Sequence, residues 1–166
     1  MSEIESFAPG SGRRVQPRSR VASDAPEIDL SGTWRFRFSA RPDLAPEGAA
    51  AAVFAGSAWA AGPVPGQWVL QGRGDWGRAA CPDVDFPFPV EPPFVPDDNP
   101  TGDYRVGFDL PEDFGHRIHL RFDGVESLAI VSLNGSQVGV VRGSRLAQEL
   151  DVTAEARPGR NLLHVR

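Results

Sequence analysis

The sequence contains no lysine. All 17 basic residues are arginine, set against 22 acidic ones, which leaves a net charge of −5. This balance reads as arginine-favouring codon usage rather than a binding surface. It argues against a nucleic-acid binder, which needs positive charge clustered over the domain. The one basic cluster is RRVQPRSR, at residues 13–20. Cysteine is nearly missing as well. Cys81 is alone, so no internal disulfide can form. No apolar run approaches the length of a membrane span. None opens the chain as a signal peptide would, and Arg13-Arg14 lack the apolar stretch that follows a twin-arginine signal. Together these absences predict a reducing, cytoplasmic location.

Catalytic patterns are also scarce. There is no phosphate-binding glycine loop and no nucleophile elbow. His116 and His119 are three apart, which on a strand places them on opposite faces. His164 and Cys81 have no partner at zinc spacing. Paired acids exist, but Asp97 and Asp98 diverge in extended geometry, and Asp83 and Asp85 read as solvated loop acids. The expectation is no catalytic residue and no metal site in this chain.

The 166 residues suffice for one domain with a real core. They cannot also hold a (β/α)₈ barrel, which takes about 250 residues. Residues 1–26 mix Ser, Pro, Gly and Arg and read as a flexible arm. A sharper reading lets that arm dock through its arginines. Residues 27–166 read as the folded domain. In LSGTWRFRFSA, Trp34, Phe36 and Phe38 alternate with Arg35, Arg37 and Ser39, as a strand with one wet face requires. YRVGFDL and HRIHLRF alternate likewise. PVPGQWVLQG reads as a type II turn at Pro65-Gly66, then a strand. SLAIVSLNGSQVGVV reads as a hairpin through Asn134-Gly135. Residues 45–62, rich in Ala and Gly, read as a long surface connection anchored by Phe54 and Trp59. Asp151 or Thr153 is placed to cap a short helical turn, and NLLHVR reads as a last strand. At least six strands and no long helical pattern predict an all-β sandwich. The last strand stops at Arg166 without a turn, which predicts a truncated chain. A sheet edge left unpaired there would favour association or weak folding.

One stretch breaks the pattern. PFPVEPPFVPDDNPTGDY, residues 87–104, holds six prolines between positions 87 and 100. Each fixes its own φ and extends the residue before it. The predicted result is a preordered, polyproline-like loop, anchored by Phe86, Phe88, Val90, Phe94 and Val95. Asp97, Asp98 and Asn99 sit at its tip. Asn99 before Pro100 has two readings: a turn starter bonded to its own backbone, or a preset amide offered to a polar ligand beyond the domain.

PFPVEPPFVPDDNPTGDYR resembles the corresponding loop in the β-galactosidases of glycoside hydrolase family 2. DLSGTWRFRF, VPGQWVLQG with GDW after it, LRFDGVESLAIVSLNGSQVGVV, GSRLAQELDVT and RPGRNLLHVR follow in the family's order and spacing. The resemblance covers residues 24–166. It departs at Cys81-Pro82-Asp83, where the family tends to have a YTN turn, and at Ser132, Val141 and Leu150, where the family favours aromatic residues. It implies a jelly-roll β-sandwich of the galactose-binding-domain-like kind, the N-terminal sugar-binding domain of a larger retaining β-galactosidase that hydrolyses terminal β-D-galactosides such as lactose.

The resemblance also implies that the catalytic glutamates lie on a barrel outside this chain. The Mg²⁺ and Na⁺ of the full-length enzyme would then bind mainly on parts outside it too. Asn99 would help complete the galactosyl pocket as the substrate-binding residue. The implied partners are the galactoside and further copies of the full-length chain. A different class of reading is a stand-alone carbohydrate- or partner-binding module with an exposed platform drawn from Trp34, Trp59, Trp68 and Trp76. Packing is the plainer role for all four, with Trp76 the best candidate for exposure.

Overall fold

The computed structural model describes residues 3–16, 23–77, 88–89 and 91–166. Cys81, Asp83, Asp85, Phe86 and Val90 lie outside the described residues. Among those described, nine strands form two antiparallel sheets. They are β1 (Ser11–Gly12), β2 (Gly32–Ser39), β3 (Ala60–Val64), β4 (Thr101–Leu110), β5 (His119–Phe122), β6 (Leu128–Leu133), β7 (Ser136–Arg142), β8 (Gln148–Asp151) and β9 (Gly159–Val165). One sheet runs β1-β7-β6-β9-β4-β2-β3, and β5 pairs with β8 in the other.

The two layers meet over a core of Trp34, Val131, Leu133, Val138, Leu150 and Leu163, with Ile118, Leu120 and Phe122 packed against it from β5 and its approach. This is the β-sandwich that the alternating patterns predict. Val141 and Leu150 are fully buried. The hairpin forms as expected. Asn134 and Gly135 both take positive φ, 53° and 93°, the twist a two-residue turn between β6 and β7 needs. Asp151 caps the turn after β8 by accepting hydrogen bonds from the Thr153 hydroxyl and then its N–H, which hold its carboxyl below the usual range.

Three expectations need correction. The first concerns the arm. Within residues 1–26, the segment from Ser11 to Val15 is paired rather than free. β1 pairs with β7, and Arg14 then bridges to Leu150 of β8. The Val15 N–H donates to Glu149 and the Arg13 carbonyl accepts from Asp151. One short segment therefore ties the two layers together. Glycines permit the crossing: a Cβ at Gly12 would lie 2.5 Å from the Gly139 Cα. Composition registers Gly and Ser as flexible, but it is blind to how closely two backbones approach.

The second concerns WVLQ. It is a single helical turn, α1 (Trp68–Gln71), not a strand, and Gly66 is not left-handed as a type II turn would require. The turn brings Trp68 onto Phe36, where the rings stack at 5.9 Å. Tertiary packing has overridden a local preference. The third concerns the proline loop, which is not extended throughout. Glu91–Phe94 closes as a turn, with the Phe94 N–H donating to the Glu91 carbonyl, and Phe94 is 60% exposed rather than an anchor.

The connection at residues 45–62 has a role its composition did not announce. The second face of the large sheet carries Arg35, Asp103, Arg105, Ser132 and His164. Residues 45–59 lie across part of it. Arg105 donates to the carbonyls of Phe54 (2.8 Å) and Ala51 (2.9 Å), and its guanidinium stacks on the Phe54 and Trp59 rings. A Cβ at Gly56 would meet Arg105 at 2.7 Å. Small residues let the connection lie close, and its carbonyls accept from the two terminal nitrogens of the buried cation.

Tyr104, on β4, packs among Trp34, Phe36 and Trp68. Burial pushes its phenol up to about 12. A raised acid group favours the protonated form in the folded state. Its stabilisation is complete below the unfolded value of about 10 and disappears as pH rises through the folded value. The chain has no lysine and one tyrosine, so tyrosinate absorbance reads this group directly. The expected midpoint is near 12 in the folded chain and about 10 in urea. The same midpoint in both states would contradict the packing described.

Candidate functional site

The candidate site is the tip of the proline loop and the start of β4. The Asn99 N–H donates to the Asp97 carbonyl at 2.8 Å, and the Asn99 carbonyl accepts from the Thr101 hydroxyl at 3.2 Å. The backbone is thus fixed locally. The carboxamide is not used: among the described residues it makes no hydrogen bond. The turn-starter reading, which needs that side chain bonded to its own backbone, is not realised. Asp97 and Asp98, beside it, are exposed.

Immediately after the tip, the chain is held on both faces. Gly102 lies beneath Trp68. Asp103, on the opposite face, is completely buried. Its Oδ1 accepts from the Arg166 Nε at 2.8 Å and lies 2.8 Å from the His164 Nε2. Arg166 also donates to the Pro46 carbonyl at 2.7 Å. This cluster joins β4, β9 and the long connection. Sequence reasoning passed over Asp103 and treated His164 as isolated, because nothing local signals a bond across 61 positions.

The other residues singled out from the sequence are dispersed. His116 is exposed in a loop. His119 sits on β5 across from β8, 3.6 Å from Glu149 and 4.0 Å from Asp151. Among the described residues, no group of three or more His, Cys, Asp or Glu could hold a metal ion. Trp34 and Trp59 are buried, and Trp68 and Trp76 are half-buried. All four pack against neighbouring rings. A shallow cleft between Phe38, Phe54, Trp59 and Trp76 carries Arg37 and Asp75 on its lining. Among the described residues no helix is long and apolar enough to cross a membrane.

Known proteins are similar to this chain in sequence and in fold. The family model for the glycosyl hydrolases family 2, sugar binding domain, matches residues 28–166. The chain is 46% identical over 181 residues to a β-galactosidase of Arthrobacter sp. (strain B7), an alignment that takes in 99% of this chain and 18% of that protein. It is 40% identical over 137 residues to a β-galactosidase of Psychromonas ingrahamii, covering 82% of this chain and 13% of that one. In structure it is similar to a Bifidobacterium dentium β-glucuronidase complexed with coumarin-3-O-glucuronide. That overlay has a TM-score of 0.63 at 25% identity, over 90% of this chain and 20% of the other. The chain spans less than a fifth of the length of these curated relatives. A match over residues 28–166 shows that the chain belongs to the glycosyl hydrolases family 2, as its sugar binding domain.

Proposed function

We propose that this domain serves a retaining β-galactosidase by presenting Asn99 to a galactosyl pocket built on a separate catalytic barrel. The observation that carries this reading is the Asn99 carboxamide. It is half-exposed at the tip of a proline-rich loop, has no hydrogen bond within the described chain, and stands on a backbone that is itself bonded. An amide offers two donors and an acceptor, which suits the hydroxyls of a hexose. The relatives named β-galactosidase support the substrate class. Stiffness matters because about 1 Å of misplacement near a reacting centre can cost two orders of magnitude in rate.

The two carboxyl groups of a retaining hydrolase stand about 5–5.5 Å apart, one as nucleophile and one as acid/base. In this reading both belong to the barrel, the Mg²⁺ and Na⁺ sites lie mainly on parts outside this chain, and the full-length chains assemble as an oligomer. The chain alone is then expected to release no product from a nitrophenyl β-galactoside. In the full-length enzyme, Asn99→Ala is expected to weaken the galactoside transition-state complex by about 1–3 kcal/mol, the cost of a hydrogen bond left unmade in a desolvated pocket. Steady-state kcat/KM measures it, and an unchanged value removes Asn99 from the pocket.

A second reading, a carbohydrate-binding module that works without a catalytic partner, draws on the cleft between Phe38 and Trp76. Calorimetric titration of the chain with lactose separates the two: heat of binding favours the module, and none favours the enzyme part.

A further inference from the structure

We infer that Trp68 is a positioning residue for Asn99, acting through Gly102 as a seat for the base of the projecting loop. The inference rests on the reading of Asn99 above and names what aims it. A Cβ added at Gly102 would lie 2.5 Å and 2.7 Å from two ring carbons of Trp68, and 2.9 Å from a ring carbon of Phe36. Gly102 is not left-handed. Glycine is needed here to admit the ring, not to bend the backbone.

Trp68 is itself fixed. It stacks on Phe36 at 5.9 Å with 26° between planes, and lies 6.5 Å from the Tyr104 ring. Phe36 is buried and also meets Trp76 at 4.6 Å. The Trp68 indole N–H is buried without a hydrogen-bond partner. Shape therefore holds this ring, and removing it breaks no side-chain hydrogen bond. From the opposite face, Asp103 is held by His164 and Arg166. The strand is clamped between these two contacts at adjacent residues. From Gly102 back to Asn99 there is little freedom left. Pro100 has a fixed φ, and the Thr101 hydroxyl is bonded to the Asn99 carbonyl. Removing the Trp68 ring would leave a gap over Gly102 and let the start of β4 shift toward it. The amide at the tip would move with it.

The test is a double-mutant cycle in the full-length enzyme that carries this domain, with kcat/KM for a nitrophenyl β-galactoside as the reading and a thermal melt for each variant. Trp68→Ala is expected to lower kcat/KM by about tenfold or more, and Trp68→Phe, which keeps a ring over Gly102, to recover most of it. In the Asn99→Ala background the same Trp68→Ala change is expected to cost less than about twofold, because residues acting through one another are not additive. If the Trp68→Ala variant does not fold, Gly102→Ala, which forces the ring away, takes its place in the cycle. An equal loss in both backgrounds would overturn the inference, because Trp68 would then act on stability or elsewhere. So would no loss from Trp68→Ala while Asn99→Ala is impaired. If Asn99→Ala is itself without effect, the reading of Asn99 fails first and the inference falls with it.

Discussion

Asp103→Ala is expected to cost the domain about 3–5 kcal/mol, the penalty for removing one partner of a buried charged cluster. The carboxylate is completely inaccessible and serves both His164 and Arg166. Alanine would leave the Arg166 guanidinium held only by the Pro46 carbonyl, and the His164 Nε2 facing a void. A loss of that size would take most of the stability of an ordinary domain. The measurement is urea denaturation of the chain, read as a shift in midpoint at unchanged slope. Asp103→Asn keeps the shape and one acceptor, so it is expected to lose less than alanine. Equal stability of Asp103→Ala and the unmodified chain would show that the cluster is not buried as described.

Phe36→Ala is expected to lose a similar amount, about 3–5 kcal/mol, for a different reason. Here the loss is transfer free energy plus a cavity. Phe36 is 1% exposed. Its ring lies 4.6 Å from Trp76, 4.6 Å from Tyr104 and 5.9 Å from Trp68. Three large neighbours cannot all collapse into one gap, because each is tied to its own element. Phe36→Leu keeps most of the volume and is expected to cost under about 1.5 kcal/mol. The same urea series checks both variants. Phe36→Ala would also loosen Trp68, so in the full-length enzyme its effect on kcat/KM should exceed what stability alone explains.

Much of this architecture was legible in the residues, and its legible parts share a cause. Trp34, Phe36, Tyr104 and Val106 alternate with polar neighbours because a strand turns its side chains at period two. Asn134-Gly135 announces a tight turn because both residues tolerate positive φ. Asp151 announces a cap because its carboxylate reaches an N–H two residues on. Each of these signals is written within a few positions. The resemblance to the family reached further, since it joined five such blocks in order, and with them came the expectation for Asn99.

What escaped the reading was non-local. Ser11 to Val15 looked like a tail, and its partners lie on β7 and β8, more than a hundred positions away. Trp68 looked like part of a strand and instead caps Gly102. Arg105 and Asp103 occupy the face of β4 that alternation marks as wet. Both are buried, because the Ala- and Gly-rich connection covers that face and lends it carbonyls.

By itself the sequence determined the sandwich, its hairpin and its family. Those properties follow from backbone preferences and side-chain period, which act between neighbours in the chain. The tertiary structure alone decided which polar side chains are enclosed, which glycines are pressed against rings or backbone, and which way the base of the loop that ends in Asn99 is held. Enclosure depends on segments brought together from 46, 103 and 164–166, and no local preference encodes where such distant segments will meet.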